Sequence, residues 1–210
     1  MNSFTFLFDL PVYQADRTPQ RVAGAMWRQG IKEEISSAQF VILVEGIATE
    51  LLKRGVKKGD RVILLTDRYS TKWLATDMAI MATGAISCPL HHPVKKAELD
   101  IILSRIEPVV IIYTAAVDLS EISGVDKILL DELTALNDTI CEEDRLRLQA
   151  IREEMNPGDI ATIVHTSGSS GEPRAVCLSH HNVVSNVMSV LSIVPFTPGT
   201  RVMSFLPLSH

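Results

Sequence analysis

The sequence predicts an α/β protein: a mostly parallel sheet with flanking helices, built from βαβ units and preceded by a β-hairpin. Two observations carry this expectation. The apolar runs Arg61-Val-Ile-Leu-Leu-Thr66 and Val109-Val-Ile-Ile-Tyr113 have the length and composition of strands covered on both faces. Between such runs lie segments of about ten to fifteen residues with apolar side chains at helical spacing, the rhythm of parallel strands joined by helical crossovers.

Taken in order, Phe4, Phe6, Phe8 and Leu10 fit an alternating strand and a short helix equally, and Asp16-Arg-Thr-Pro19 reads as a turn. Val22-Ala-Gly-Ala-Met-Trp27 and Ile31-Lys-Glu-Glu-Ile35, joined across Arg28-Gln29-Gly30, form the hairpin, spanning about residues 21–35. Ser36 followed by Gln39 is a capping-box pattern. Phe40, Val44, Ile47, Ala48 and Leu51 then repeat at helical spacing until Gly55 stops the helix. A second helix is predicted over 70–83, with Trp73, Leu74, Asp77, Met78 and Met81 along one face; Asp77 is assigned no chemistry. Ala85-Ile-Ser-Cys-Pro-Leu90 is the next strand, with His91-His92-Pro93 as its exit loop. Neighbouring histidines on a loop rarely share one ion, and no third ligand lies in sequence reach, so loop chemistry is the reading. Residues 94–106 form a helix ended by Pro108, and Lys127-Ile-Leu-Leu130 adds a strand. Residues 141–155 are a charged surface helix packed by Leu146, Leu148 and Ile151, and Asn156-Pro-Gly-Asp159 is a turn.

At 210 residues and 46% hydrophobic content the chain can bury a real core. A net charge of −5 argues against nucleic acid as a partner, because a phosphate backbone is bound through a basic surface. Cys88, Cys141 and Cys177 are odd in number and widely separated, with no Cys-x-x-Cys pair, which favours a reducing cytoplasm. The start lacks a basic segment and meets Asp9 and Pro11 too early for a secretory signal. The longest weakly polar run, residues 78–90, is too short to span a bilayer, so membrane contact is expected to be peripheral at most.

The chain is organised around residues 159–182. The apolar run Ile160 to Val164 opens into Thr166-Ser167-Gly168-Ser169-Ser170-Gly171, with four hydroxyls, two glycines and no apolar side chain. Small residues let the backbone curl so that several N–H groups point into one concavity, hydroxyls add donors, and Arg174 adds a permanent charge. These are requirements for holding a polyphosphate. Ser/Gly-rich stretches also serve as plain turns or linkers. Here, however, the loop is entered directly from a β-branched strand and followed at once by Pro173-Arg174 and another ordered segment. The second glycine is followed by Glu-Pro-Arg instead of Lys-Ser/Thr, so a Walker A site is disfavoured. Ser179 then caps a helix whose Val183, Val184, Val187, Met188 and Leu191 are expected to face the core, and Arg201 to His210 reads as the next strand and its exit.

His165-Thr-Ser-Gly-Ser-Ser-Gly-Glu-Pro-Arg-Ala-Val-Cys-Leu-Ser-His-His-Asn182 closely resembles the phosphate-binding signature of the adenylate-forming superfamily, Tyr-Thr-Ser-Gly-Thr-Thr-Gly-x-Pro-Lys-Gly-Val-x-Leu-Ser-His-x-Asn. That superfamily includes acyl-CoA synthetases, firefly luciferases and peptide-synthetase adenylation domains. Gly55-Val-Lys-Lys-Gly-Asp-Arg-Val62 and the stretch from Trp73 through Gly84-Ala85 to Pro89-Leu90 resemble further family patterns. The likeness is weakest before residue 20 and between 114 and 155.

The resemblance implies ATP, magnesium and coenzyme A as reactants and cofactor, with a fatty acid or other carboxylic acid as substrate. It implies that Thr166, Ser167, Gly168, Ser169, Ser170 and Gly171 cradle the β- and γ-phosphates, with Thr166 nearest magnesium and Arg174 a catalytic cation. Leu206-Pro-Leu-Ser-His210 resembles a stretch that, in long-chain acyl-CoA synthetases, sets its histidine near the acyl carboxylate, which makes His210 a second catalytic candidate. Arg174 stands where lysine is usual, Ala175 where glycine is usual and His165 where an aromatic residue is common. Family members carry adenine-binding, ribose-binding and hinge motifs and a C-terminal lysine that this sequence does not contain. The likeness is therefore to the N-terminal portion: residues 1–155 as an α/β subdomain and 156–210 as the start of a truncated second one. The expectation is that the chain alone does not complete adenylation, being either a piece of a longer synthetase or a split subunit completed in trans. A fragment of a fatty acyl-AMP ligase and a non-catalytic binding or scaffold module remain the alternatives.

Overall fold

The computed structural model describes residues 4–28, 30–134, 140–167, 173–194, 196–197 and 199–204. Residues 9–17 form helix α1 (Asp9–Arg17), which takes in only the last two residues of the stretch 4–10 that fits strand and helix equally, and includes Asp16 and Arg17, expected in a turn. Pro11 hid this helix. It sits in the first turn, where its missing N–H would have no intrahelical partner. Asp9 anchors the entry, its carboxylate accepting the backbone N–H of Phe6 at 3.1 Å.

The predicted hairpin is present as β1 (Val22–Arg28) and β2 (Ile31–Ser36). At Gly24 an added Cβ would stand 2.6 Å from the Thr71 Cγ2, so glycine lets the hairpin approach the helix that begins there. Ser36 and Gln39 make the capping box of α2 (Ser37–Lys53): the Gln39 N–H donates to the Ser36 Oγ at 3.2 Å and the Ser36 N–H to the Gln39 Oε1 at 2.9 Å.

Six strands form the main sheet: β3 (Arg61–Thr66), β4 (Ile86–His91), β5 (Val110–Tyr113), β6 (Asp126–Leu129), β7 (Ile160–Ser167) and β8 (Pro173–Ser179), in the order β6-β5-β3-β4-β7-β8. All pairings are parallel except β7 with β8. The helices are α3 (Thr71–Ala82), α4 (Lys96–Ile106), the single turn α5 (Leu130–Leu133), α6 (Glu142–Glu154) and α7 (His180–Ile193).

Side chains alternate across the central strands and feed two cores. Val62 and Leu64 of β3, Val110 and Ile112 of β5 and Ala161 of β7 pack with α2, α3 and Trp73 on one face. Ile63, Leu65, Cys88, Ile111 and Ile163 pack with Ile102 and Ile106 of α4 on the other. The outer helices are tied by charge. Arg152 of α6 donates to both carboxylate oxygens of Asp9 on α1, at 2.7 and 3.0 Å.

Two expectations near the end of the chain are corrected. In α7 Val184 is buried, but Val187, Met188 and Leu191 are only half-buried, as is Val183, and Val190 and Ile193 are exposed. Residues 201–204, expected to begin a strand, adopt no regular structure and are exposed; the rest of that expected strand lies outside the described residues.

Candidate functional site

Open α/β sheets bind ligands outside the carboxyl ends of their parallel strands. In this sheet β3, β4, β5 and β7 deliver their last residues to one edge. The exits of β3 and β5 are locked together, because the Thr114 Oγ1 donates to the Asp67 Oδ1 at 2.6 Å and accepts the Asp67 N–H at 3.3 Å. That hydroxyl is the main cause holding the Asp67 carboxyl below its usual range.

The root of β7 is fastened at its other end. Asp159 accepts the Asn156 N–H at 2.9 Å and pairs with Lys58 at 2.8 Å, and Lys58 above all keeps its carboxyl below the ordinary value. The His180 N–H donates to the Asp159 carbonyl at 3.1 Å and the His181 N–H to that of Pro157 at 2.7 Å, so β7 and α7 start from one knot. The Ser-His-x-Asn pattern has a mechanical basis here. Ser179 and Asn182 form the capping box of α7, and His180 is buried edge-on against Phe6 and Phe8, with ring centroids 5.1 and 5.8 Å away. Burial holds the His180 imidazole below its ordinary range, offset in part by Asp159 and Asp9.

A bulge interrupts β7: Ile160 pairs with Ser179 but Thr162 with Leu178, so Ala161 is extra. Beyond it, Ile163 joins the α4 core. His165, two residues on, is half-buried near Arg105, and burial first, then Arg105, pushes its imidazole down. Arg105 also donates to the Pro173 carbonyl at 3.0 Å, holding the start of β8 against α4.

Thr166 and Ser167, read from sequence as loop, belong to β7, paired with Arg174 and Pro173 of β8. The ordered segment expected after Pro173 is an antiparallel edge strand paired with β7. Thr166 and Arg174 are exposed cross-strand partners on these two strands. A hydroxyl and a guanidinium side by side suit an anionic oxygen. Gly168, Ser169, Ser170, Gly171 and His210 lie outside the described residues.

One pair at this edge was passed over in the sequence. Tyr69, just ahead of α3, stacks on His91 at the end of β4, with centroids 5.3 Å apart, and its hydroxyl lies 2.9 Å from the His91 Nδ1. Only the strand register brings these residues together, and no spacing in the sequence announces it. Deeper along β4, the Ser87 Oγ donates to the Asp77 Oδ1 at 2.5 Å, and burial lifts the Asp77 carboxyl to about 6. Among the described residues no group of three or more His, Cys, Asp or Glu side chains could hold a metal ion, and no helix is long and apolar enough to cross a membrane.

This architecture, a mostly parallel α/β sheet whose strands β7 and β8 flank a hydroxyl-rich sequence, is that of an adenylate-forming domain. The family model described as AMP-binding enzyme matches residues 12–210, and the chain belongs to that family. It is 28% identical over 200 residues to a long-chain-fatty-acid–CoA ligase of Mycobacterium bovis, covering 86% of this chain and 32% of that protein. It is 31% identical over 166 residues to a nonribosomal peptide synthetase of Gibberella zeae, covering 75% of this chain and 2% of that one. Among solved structures, an O-succinylbenzoate coenzyme A synthetase of Bacillus subtilis in complex with AMP superposes with a TM-score of 0.78 at 20% identity, over 95% of this chain and 49% of that one. A fatty acid AMP ligase of Legionella pneumophila superposes at 0.72 with 21% identity, over 90% and 33% of the two chains. These superpositions establish the fold. The chain spans about a third of the length of the mycobacterial relative.

Proposed function

We propose that this chain is the phosphate-holding part of an ATP-dependent, AMP-forming acyl-CoA synthetase acting on a fatty acid. The reading is carried by the hydroxyl-rich sequence between β7 and β8, with Thr166 and Arg174 paired on the strands that flank it, inside a family match that runs from residue 12 to 210. In this reading Thr166, Ser167, Gly168, Ser169, Ser170 and Gly171 offer N–H and hydroxyl donors to the β- and γ-phosphates. Thr166 lies nearest magnesium, which would neutralise phosphate charge. Arg174 stabilises the charge that gathers on departing pyrophosphate, and His210 stands near the acyl carboxylate. The carboxylate oxygen attacks the α-phosphorus of ATP, the bond to pyrophosphate breaks, and the acyl-adenylate forms. The thiol of coenzyme A then attacks the acyl carbonyl, loses its proton and displaces AMP. The protein's share is positioning and charge neutralisation.

Residues 156–210 are, in the same proposal, the start of a second subdomain after an α/β unit at 1–155. The apolar side chains that α7 leaves exposed support this, since further chain would cover them. The three cysteines are unpaired, which supports a reducing cytoplasm, with any membrane contact peripheral. Adenine, ribose and acyl recognition fall to the remainder of the enzyme, joined or in trans. ATP–pyrophosphate exchange with a fatty acid tests this directly. The chain alone is expected to show none, and the complete enzyme is expected to lose exchange on Ser170→Ala. Turnover by the chain alone, or a complete enzyme indifferent to that change, refutes it. The likeness to a fatty acid AMP ligase keeps a second reading open, marked by an acyl-adenylate that accumulates when coenzyme A is present.

A further inference from the structure

Strand register places four side chains in one row across the carboxyl edge of the sheet. Thr66 of β3 pairs with His91 of β4. Ser87 of β4 pairs with Thr162 of β7, and four residues further along each strand come His91 and Thr166. Thr166 in turn pairs with Arg174 of β8. Ser87 and Thr162 are the pair that joins β4 to β7; continuing that register by four residues sets His91 level with Thr166, and the row then runs Thr66, His91, Thr166, Arg174.

All four lie on the face covered by α3. In β3 the alternation that sends Val62 and Leu64 into the α3 core continues to Thr66. In β4 the odd positions include Ser87, whose hydroxyl meets Asp77 of α3, and His91, stacked on Tyr69, which packs edge-on against Trp73 of α3. Thr162 shares the face of its partner Ser87, and the alternation carries that face through Val164 to Thr166. Two interstrand steps of about 4.8 Å separate His91 from Arg174, a span of about 10 Å that a chain of two or three phosphates can bridge.

Two details show that the row is poised for a ligand. Thr66 is fully buried, yet its hydroxyl has no hydrogen-bond partner among the described residues, a costly state that a bound polar group or water would relieve. The Tyr69 hydroxyl lies at the His91 Nδ1, and when it donates there the ring proton is left on Nε2, as a donor on the far side of the exposed imidazole.

We infer that His91 is a further phosphate-binding residue, held in its donor tautomer by Tyr69, and that the polyphosphate lies along the row from Arg174 towards β4. This rests on the polyphosphate reading above and extends it to a strand two places in from the edge strand β8. His91 is the binding group, and Tyr69 is a positioning residue acting through it.

The test is titration of the 210-residue chain with magnesium pyrophosphate and with magnesium ATP, followed by calorimetry, for the wild type, His91→Ala, His91→Asn, Tyr69→Phe and Arg174→Ala. One hydrogen bond to a charged acceptor predicts a loss of about ten-fold or more in affinity for His91→Ala, partial recovery in His91→Asn, and a smaller loss for Tyr69→Phe. Side-chain 15N shifts of His91 are expected to report a proton on Nε2 in the wild type and a mixture of tautomers in Tyr69→Phe, a change that a merely structural role for Tyr69 would not produce. Binding by the wild type that is weakened by Arg174→Ala but unchanged by His91→Ala overturns the inference and leaves the polyphosphate reading standing. No binding by the wild type overturns both.

Discussion

Replacing Asp77 by asparagine is expected to stabilise the protein at neutral pH. Asp77 sits mid-way along α3, half-buried, with its carboxyl accepting from the hydroxyl of the fully buried Ser87. Burial dominates and raises its carboxyl from 3.8 to about 6, while the Ser87 hydroxyl works the other way. The folded protein therefore binds more protons at this site than the unfolded chain does between these two values. Stability is fully present below 3.8 and is lost as pH rises towards 6. At about 1.4 kcal/mol per pH unit the gap corresponds to a ceiling of about 3 kcal/mol. Because the residue is only half-buried, solvent screens part of this, and about 1–2 kcal/mol is the expected size at about pH 8. Asparagine keeps an acceptor for Ser87 and carries no charge. Urea unfolding at about pH 4 and about pH 8 reads the effect: the two proteins are expected to agree at the lower value, and the variant to be the more stable at the higher. A difference of equal size at both pH values, or a variant less stable under alkaline conditions, refutes burial as the controlling term.

Three further outcomes follow from the described contacts. His180→Phe is expected to flatten the loss of stability below about pH 6.5, since burial lowers the His180 value and the unfolded chain takes up a proton there before the folded one does; melting temperatures at about pH 7.5 and about pH 5.5 measure it, and an equal fall in both proteins sinks the assignment. Ser36→Ala removes half of the α2 capping box and is expected to cost about 1 kcal/mol, or about 2–4 °C in melting temperature. Leu64→Ala, at a fully buried position in the α3-side core, is expected to cost about 2–5 kcal/mol in denaturant unfolding, and a value below about 1 kcal/mol would show that the site collapses around the cavity.

The central βαβ run was legible because its signals were local. Ser36 with Gln39, Ser179 ahead of its apolar run and the continuous run from Arg61 to Thr66 each announce an element within a few residues, and each stands in the structure where the pattern put it. Local signals failed where neighbours decide. Pro11 disguised α1, because proline in a first turn looks the same in sequence as proline in a loop. The strand β8 carries a proline, an arginine and few buried side chains, the composition of an edge, and its pairing with β7 alone makes it a strand. The helical spacing of α7 was read correctly, but spacing does not say that a partner is present, and its apolar face is only partly covered. The phosphate signature at 166–171 was visible as chemistry, while the pairing of Thr66 with His91 and of Thr166 with Arg174 was not, since strand register alone sets each pair side by side.

The extra residue Ala161 sets the parity of everything downstream in β7. At the bulge itself Ala161 belongs to the core beneath α3; two residues later Ile163 belongs to the core beneath α4, where an uninterrupted strand would have kept both on one side. Parity is inherited along the rest of the strand, so the bulge sets which face of the sheet His165 and Thr166 each occupy. Deleting Ala161 would leave every residue type of the loop intact and turn each later residue of β7 to the opposite face, carrying Thr166 to the side of Arg105 and His165 to the side beneath α3. Within this family fold, a single unpaired alanine at the root of β7 acts as the indexing step for the site.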